Sequence, residues 1–203
     1  MTNRSWSTLF TKMFQCRLPI IGAPMAGVSG GSLAFETCRA GGIGFIAAGH
    51  LNNPEAFKKL EEEIKIFRHL VSLSSSSSSP SPSSSPSSPS SSFPLNIGFI
   101  GHSTFGKESS GWEYVRRILE EHRPDAVQFF APAISEFSPK NVKLPSSPSS
   151  LPSPSPSSFD NNVRMCQSYG CKVVAQVGSV RDGIEALDVG VDCIVALGTE
   201  AGG

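Results

Sequence analysis

The sequence is short of charge, of long apolar runs and of paired cysteines. Only 17% of its 203 residues are charged, with 17 basic against 17 acidic side chains. No single-sign field therefore draws the chain toward nucleic acid or an anionic membrane. No apolar stretch approaches the roughly 18–20 residues that span a bilayer. Cys16, Cys38, Cys166, Cys171 and Cys193 show no C-x-x-C spacing and have no histidine beside them. Neither a zinc ligand set nor a redox dithiol is indicated, no metal is expected, and the cysteines read as free thiols of a reducing compartment, some in the core. No acidic residue precedes Glu36, whereas Arg4, Lys12 and Arg17 do. Such a start is compatible with an organelle presequence. The simpler reading of "TLFTKMF" is a short helix leading into the first strand, with a cytoplasmic location expected.

Two stretches have almost nothing to bury. Residues 72–92 are Ser and Pro apart from Leu73, and residues 145–158 are Ser and Pro apart from Leu151. Burial cannot offset the entropy of ordering them, so both are expected to be disordered insertions. They divide the chain into a lead-in (1–17), a first pair of β/α units (18–71), a second pair (93–144) and a third (159–203).

The remaining segments alternate apolar runs with amphipathic ones. Strands are expected at Leu18–Met25, Ile43–Gly49, Leu95–Gly101, Asp125–Pro132, Cys171–Gly178 and in "VDCIVALG". Between them lie helical patterns. One has Asn53 as cap and Pro54 at its first position, with Phe57, Leu60, Ile64, Phe67 and Val71 on one face. Another has Ser179 as cap and Gly190 as stop. Strands that are apolar throughout are covered on both faces, as in a parallel sheet with crossover helices. No G-x-G-x-x-G follows the first strand, and unusual residues fall at the C-terminal ends of several strands. Both features favour a (β/α)8 barrel over an open doubly wound sheet. The expectation is an incomplete α/β barrel of about six units. Its edges would stand unpaired, as in a fragment or truncated product.

"LPIIGAPMAGVS", "AGGIGFIAAG", "AVQFFAP", "VVAQVGSVRDGIEALDVGVD" and "IVALGTEAGG" together resemble nitronate monooxygenases, formerly 2-nitropropane dioxygenases. The resemblance implies an FMN-dependent oxidoreductase that acts on alkyl nitronates or nitroalkanes and O2, giving a carbonyl compound and nitrite. It places Ala23, Pro24 and Met25 against the flavin ring and Gly198, Thr199, Gly202 and Gly203 in a loop close to FMN. Glycines around the first segment allow close approach of backbone to a planar ligand. Gln176, an amide in an apolar strand, needs a partner: a flavin or substrate atom, or another core group. Glu200 is open between loop anchor and ligand contact. An FMN-dependent NAD(P)H:quinone or enoyl reductase, and an inactive barrel fragment, are the competing readings.

The chain departs from the pattern at Leu197 and Gly98, where the resemblance implies Gln and Asn, and at Gln128–Phe130, where it implies His. The resemblance also implies a catalytic histidine, the base for the α-proton, immediately beyond Gly203; its imidazole pKa suits proton abstraction. Within the chain only His50 and His102 follow strands and are candidates to face a barrel mouth; His69 and His122 lie on charged helix faces.

Overall fold

The computed structural model describes residues 6–76, 93–100, 111–130 and 158–198. Thr199, Gly202, Gly203, Glu200, His102 and most of the two Ser/Pro runs lie outside those residues. The chain divides into two compact units, 1–49 with 53–98, and 50–52 with 99–203.

The first unit opens with α1 (Leu9–Phe14), the short helix expected before the first strand. Thr8 and Thr11 cap it reciprocally, each hydroxyl accepting the other's backbone N–H, at 3.1 and 2.9 Å. β1 is only Ile21–Gly22, shorter than the expected run, because Ala23 onward turns away. It pairs in parallel with β2 (Ile43–Gly44). The second expected strand is split: β2 ends at Gly44 and β3 (Ile46–Gly49) joins a different ladder, next to β4 (Asn96–Ile100). Buried Asn96 compensates at the break, donating Nδ2–H to the Gly44 carbonyl at 3.0 Å.

α2 (Gly31–Ala40) and α3 (Pro54–Ser76) cross at glycine. A Cβ on Gly31 would collide with the Glu63 carbonyl, and one on Gly44 with the Ala34 backbone, so backbone approaches backbone where side chains are missing. The Glu63 carboxylate closes the contact by accepting the Gly31 N–H at 2.7 Å, at the positive end of α2. The expected stripe of α3 is in place: Phe57, Leu60, Ile64 and Phe67 are buried and Val71 is half-buried. Asn53 caps the helix through the Ala56 N–H at 2.8 Å.

One boundary is corrected. The first Ser/Pro run was expected to be disordered from residue 72, but α3 continues to Ser76. Ser72 donates its hydroxyl to the His69 carbonyl at 2.7 Å, and Ser74 and Ser75 donate to that of Val71 at 2.7 and 3.0 Å. The helix accommodates these serines with each hydroxyl bonded back to a carbonyl one turn earlier, a local arrangement compatible with helix.

The second unit holds α4 (Gly111–His122), β5 (Ala126–Phe130), α5 (Ser158–Ser168), β6 (Lys172–Val177), α6 (Val180–Asp188) and β7 (Cys193–Ala196). β5, β6 and β7 run parallel in that order. Val115, Ile118 and Leu119 of α4 and Val163 and Cys166 of α5 are buried. Asp192 ties the N-terminal ends of the strands together: its Oδ2 accepts the Val173 N–H at 2.9 Å, and its Oδ1 stands 3.7 Å from Lys172 Nζ. Burial pushes the Cys171 thiol up to about 12, so it stays protonated and donates to the Pro124 carbonyl at 2.8 Å. Burial raises Cys166 as well. These are core thiols, as the sequence suggested.

Candidate functional site

The Ala23–Met25 segment is a turn pinned by a residue that sequence reasoning missed. Ser29, 3% exposed, donates its hydroxyl to the Ala23 carbonyl at 2.7 Å and accepts the Met25 N–H at 3.0 Å. Its own carbonyl accepts the Ala47 N–H at 2.8 Å, fixing the turn to β3. One buried hydroxyl thus satisfies two backbone groups and holds the loop rigid. The signal was available: a lone hydroxyl in "MAGVSGG", just before a helix, is a local hydrogen-bonding position.

This turn presents an apolar surface. Ala23 and Met25 are exposed, Met25 by 47%. Pro24 is half-buried against β4, where a Cβ on Gly98 would overlap the proline ring. The absence of a side chain at residue 98, a departure from the resemblance, is what admits Pro24 there.

In the second unit the strand register sorts the residues by face. Phe130 pairs with Gln176 and Gln176 with Val195; Gln128 pairs with Val174 and Val174 with Cys193. In a parallel pair, partners point to the same side and the side alternates along the strand. Gln128, Phe130, Gln176 and Val195 therefore share one face, and Val127, Phe129, Val173 and Ala175 the other. Val127, Phe129, Val173 and Ala175 are buried, as are Gln128 and Val174, whereas Phe130, Gln176 and Val195, toward the C-terminal ends of their strands, are half-exposed.

Half-exposed Gln176 has a partner in the core. Gln128 donates Nε2–H to its Oε1 at 2.7 Å. Gln128 itself is 1% exposed, and its Oε1 has no hydrogen-bond partner among the described residues. A buried acceptor left unpaired costs about 1–3 kcal/mol. The argument that singled out Gln176, an amide in an apolar strand, applies equally to "AVQFF" and would have found Gln128.

Gly178 follows β6 and Gly198 follows β7. A Cβ at either position meets nothing within 4 Å, and neither has a left-handed φ. Neither packing nor backbone conformation within the described residues explains glycine at these two strand ends. Of the histidines weighed as bases, His50 is exposed just after β3, His69 is exposed on α3, and His122 is half-buried on α4. Ala23, Pro24 and Met25 belong to the first unit and Gln176 and Gly198 to the second.

No family model matches the chain. A nitronate monooxygenase of Neurospora crassa is 31% identical over 188 residues, covering 91% of this chain and 43% of the relative. A probable nitronate monooxygenase of Staphylococcus aureus is 29% identical over 193 residues, covering 95% of this chain and 49% of the relative. This chain is similar to the N-terminal part of nitronate monooxygenases. It spans about half the length of the curated relatives it matches.

Solved structures share the fold of this chain. Nitroalkane oxidase from Streptomyces ansochromogenes superposes with a TM-score of 0.59 at 20% identity, over 95% of this chain and 49% of the other. FabK from Thermotoga maritima superposes with a TM-score of 0.61 at 17% identity, over 95% of this chain and 44% of the other. At such identities the likeness shows the fold: an α/β chain of parallel strands and helices, part of a (β/α)8 barrel, as the sequence pattern indicated.

Proposed function

We propose that this chain is part of an FMN-dependent oxidoreductase that oxidises alkyl nitronates or nitroalkanes with O2 to a carbonyl compound and nitrite. The observation that carries the reading is the similarity to nitronate monooxygenases over more than nine-tenths of the chain. It takes in the exposed, Ser29-pinned Ala23–Met25 turn.

In each unit taken by itself, residues present suit a planar cofactor. Ala23, Pro24 and Met25 offer it an apolar surface, pinned by Ser29, from which a bound ring would displace water. Gln176 offers an amide, and Gly198, with nothing beside its Cα, offers open space. Thr199, Gly202 and Gly203 complete the proposed cofactor set from outside the described residues. When bound, FMN would accept electrons from the substrate and pass them to oxygen, chemistry that no side chain supplies. The chain's own part is binding and orientation; no proton transfer is assigned to its histidines.

The test is an absorption spectrum of the 203-residue protein after incubation with FMN and desalting, followed by oxygen uptake with propyl-2-nitronate. Retained flavin bands near one equivalent are expected. A colourless protein would count against a flavin site within this chain. Flavin retention with no nitronate-dependent oxygen uptake would leave the cofactor assignment standing and remove the activity from this chain alone.

A further inference from the structure

The outer face of a surface helix is normally polar, and that of α1 is not. Its inner face is ordinary: Thr11 and Phe14 are buried, and the Phe10 and Phe14 rings stand 4.8 Å apart. Leu9, Lys12 and Met13, at i, i+3 and i+4, form the opposite face. Leu9 is 85% exposed, and Met13 is exposed beside it. Trp6, just before the helix, is 61% exposed. The fold holds it there: its carbonyl accepts the Thr11 hydroxyl at 2.7 Å, and its N–H bonds the Arg17 carbonyl at 3.0 Å. Arg17 and Leu18 in turn donate their N–H groups to the Gly41 carbonyl at 3.0 and 2.9 Å. The apolar face is thus built into the first unit.

The balanced total charge conceals a local imbalance at this face. Arg4, Lys12 and Arg17 are the charged residues that precede Glu36. Lys12 and Arg17 are exposed, and Glu36 is paired with Arg39 at 2.6 Å on α2. Charge therefore argues against a second copy, which would bring like cations together with no carboxylate between them. An anionic surface is the complement. Shape agrees, because a fluid interface admits a protruding side chain such as Leu9 without a preformed groove. Indole prefers the headgroup level of a bilayer, and lysine can lay its stem on apolar groups with its ammonium among phosphates.

We propose that Trp6, Leu9, Lys12 and Met13 form a docking surface for an anionic phospholipid bilayer. Leu9, Met13 and the indole enter the boundary between headgroups and acyl chains, and Lys12 meets lipid phosphates, with Arg17 adding to the field. The contact is peripheral and reversible. Three apolar side chains are far short of a spanning segment, and no helix among the described residues is long and apolar enough to cross a membrane. The surface lies within the first unit and does not depend on the flavin reading.

The experiment is co-sedimentation of the 203-residue protein with vesicles of phosphatidylcholine, alone or with about 30% phosphatidylserine. At low salt, binding to the anionic vesicles is expected to be at least about tenfold stronger than to the neutral ones. Salt of about 0.5 M should remove most of that difference. The chain has two tryptophans, Trp6 and Trp112. Indole emission should move to shorter wavelength on binding, and Trp6→Phe should abolish the shift.

Two variants locate the contact. Lys12→Gln should bind anionic vesicles about fivefold more weakly, and Leu9→Ser about tenfold more weakly. Both should melt near wild type, since both side chains are exposed. Wild type that binds neither vesicle, or variants that bind as wild type does, would overturn the proposal. Binding to soluble polyglutamate as tight as to vesicles, and untouched by Leu9→Ser, would assign the face to an acidic protein instead. Lipid-free wild type whose sedimentation depends on concentration, and Leu9→Ser whose sedimentation does not, would assign it to a second copy.

Discussion

Helices α3 and α6 carry the same kind of sequence pattern and meet opposite fates. α3 places Phe57, Leu60, Ile64 and Phe67 on one face, and all four are buried, Ile64 completely. α6 places Val180, Ile184 and Leu187 at comparable spacing, and they are 83%, 55% and 62% exposed. Only Ala186, on another side of α6, is buried among that helix's residues. Apolar periodicity states which face of a helix gains from leaving water; it does not state whether the described chain supplies the cover. In α3 the cover is α2, brought close by Gly31. For α6 no such partner exists among the described residues. Its helical state rests instead on local devices: the Ser179 hydroxyl accepting the Asp182 N–H at 3.1 Å, and the exposed Arg181–Glu185 pair at 2.9 Å.

The comparison is sharpest at Ile64. Cutting this fully buried side chain to alanine removes apolar area and leaves a cavity under α2. The expected loss for Ile64→Ala is about 2–5 kcal/mol of unfolding free energy, read from the midpoint of denaturant unfolding at unchanged slope. A loss below about 1 kcal/mol would mean that α3 is no better packed than α6, and the contrast would fail.

Patterning made most of the fold legible. The positions of six strand segments, the Asn53 and Ser179 caps and the α3 stripe all follow from period, capping chemistry and glycine placement, which are local properties. What escaped was set by tertiary contact. The split of the second strand at Phe45 depends on which neighbour each half pairs with. In the extension of α3 to Ser76 the serine hydroxyls bond backward to His69 and Val71, a helical use of residues whose composition argued for disorder. Within the candidate site, Ala23–Met25 was singled out by the resemblance and Gln176 as an amide in an apolar strand, and both remain proposals. Ser29 and Gln128 act one layer beneath them, and their roles show only as hydrogen-bond partners of the residues already noticed.

A cap is the next test. If α6 is held chiefly by its own termini, Ser179→Ala should cost about 1 kcal/mol, near the typical value for a lost N-cap. The loss should appear as faster amide exchange across Val180–Asp188 more than as a shift in global unfolding. Equal protection in both proteins would show that packing through Ala186, and not the cap, holds the helix.

The smallest expected effect is the most telling about the exposed stripe. Ile184→Lys introduces a charge where the side chain is already more than half in water. It also stands one turn from Asp188, with which it forms an i,i+4 pair, and lysine has better helix propensity than isoleucine. Stability should stay within about 0.5 kcal/mol of wild type, as for surface substitutions generally. The same change in α3, Ile64→Lys, would bury a charge and prevent folding. If Ile184→Lys instead lowers stability by more than about 2 kcal/mol, the Val180–Ile184–Leu187 face is covered in solution, and α6 is a packed helix like α3. Sedimentation of the wild type at several concentrations then shows whether that cover is a second copy of the chain.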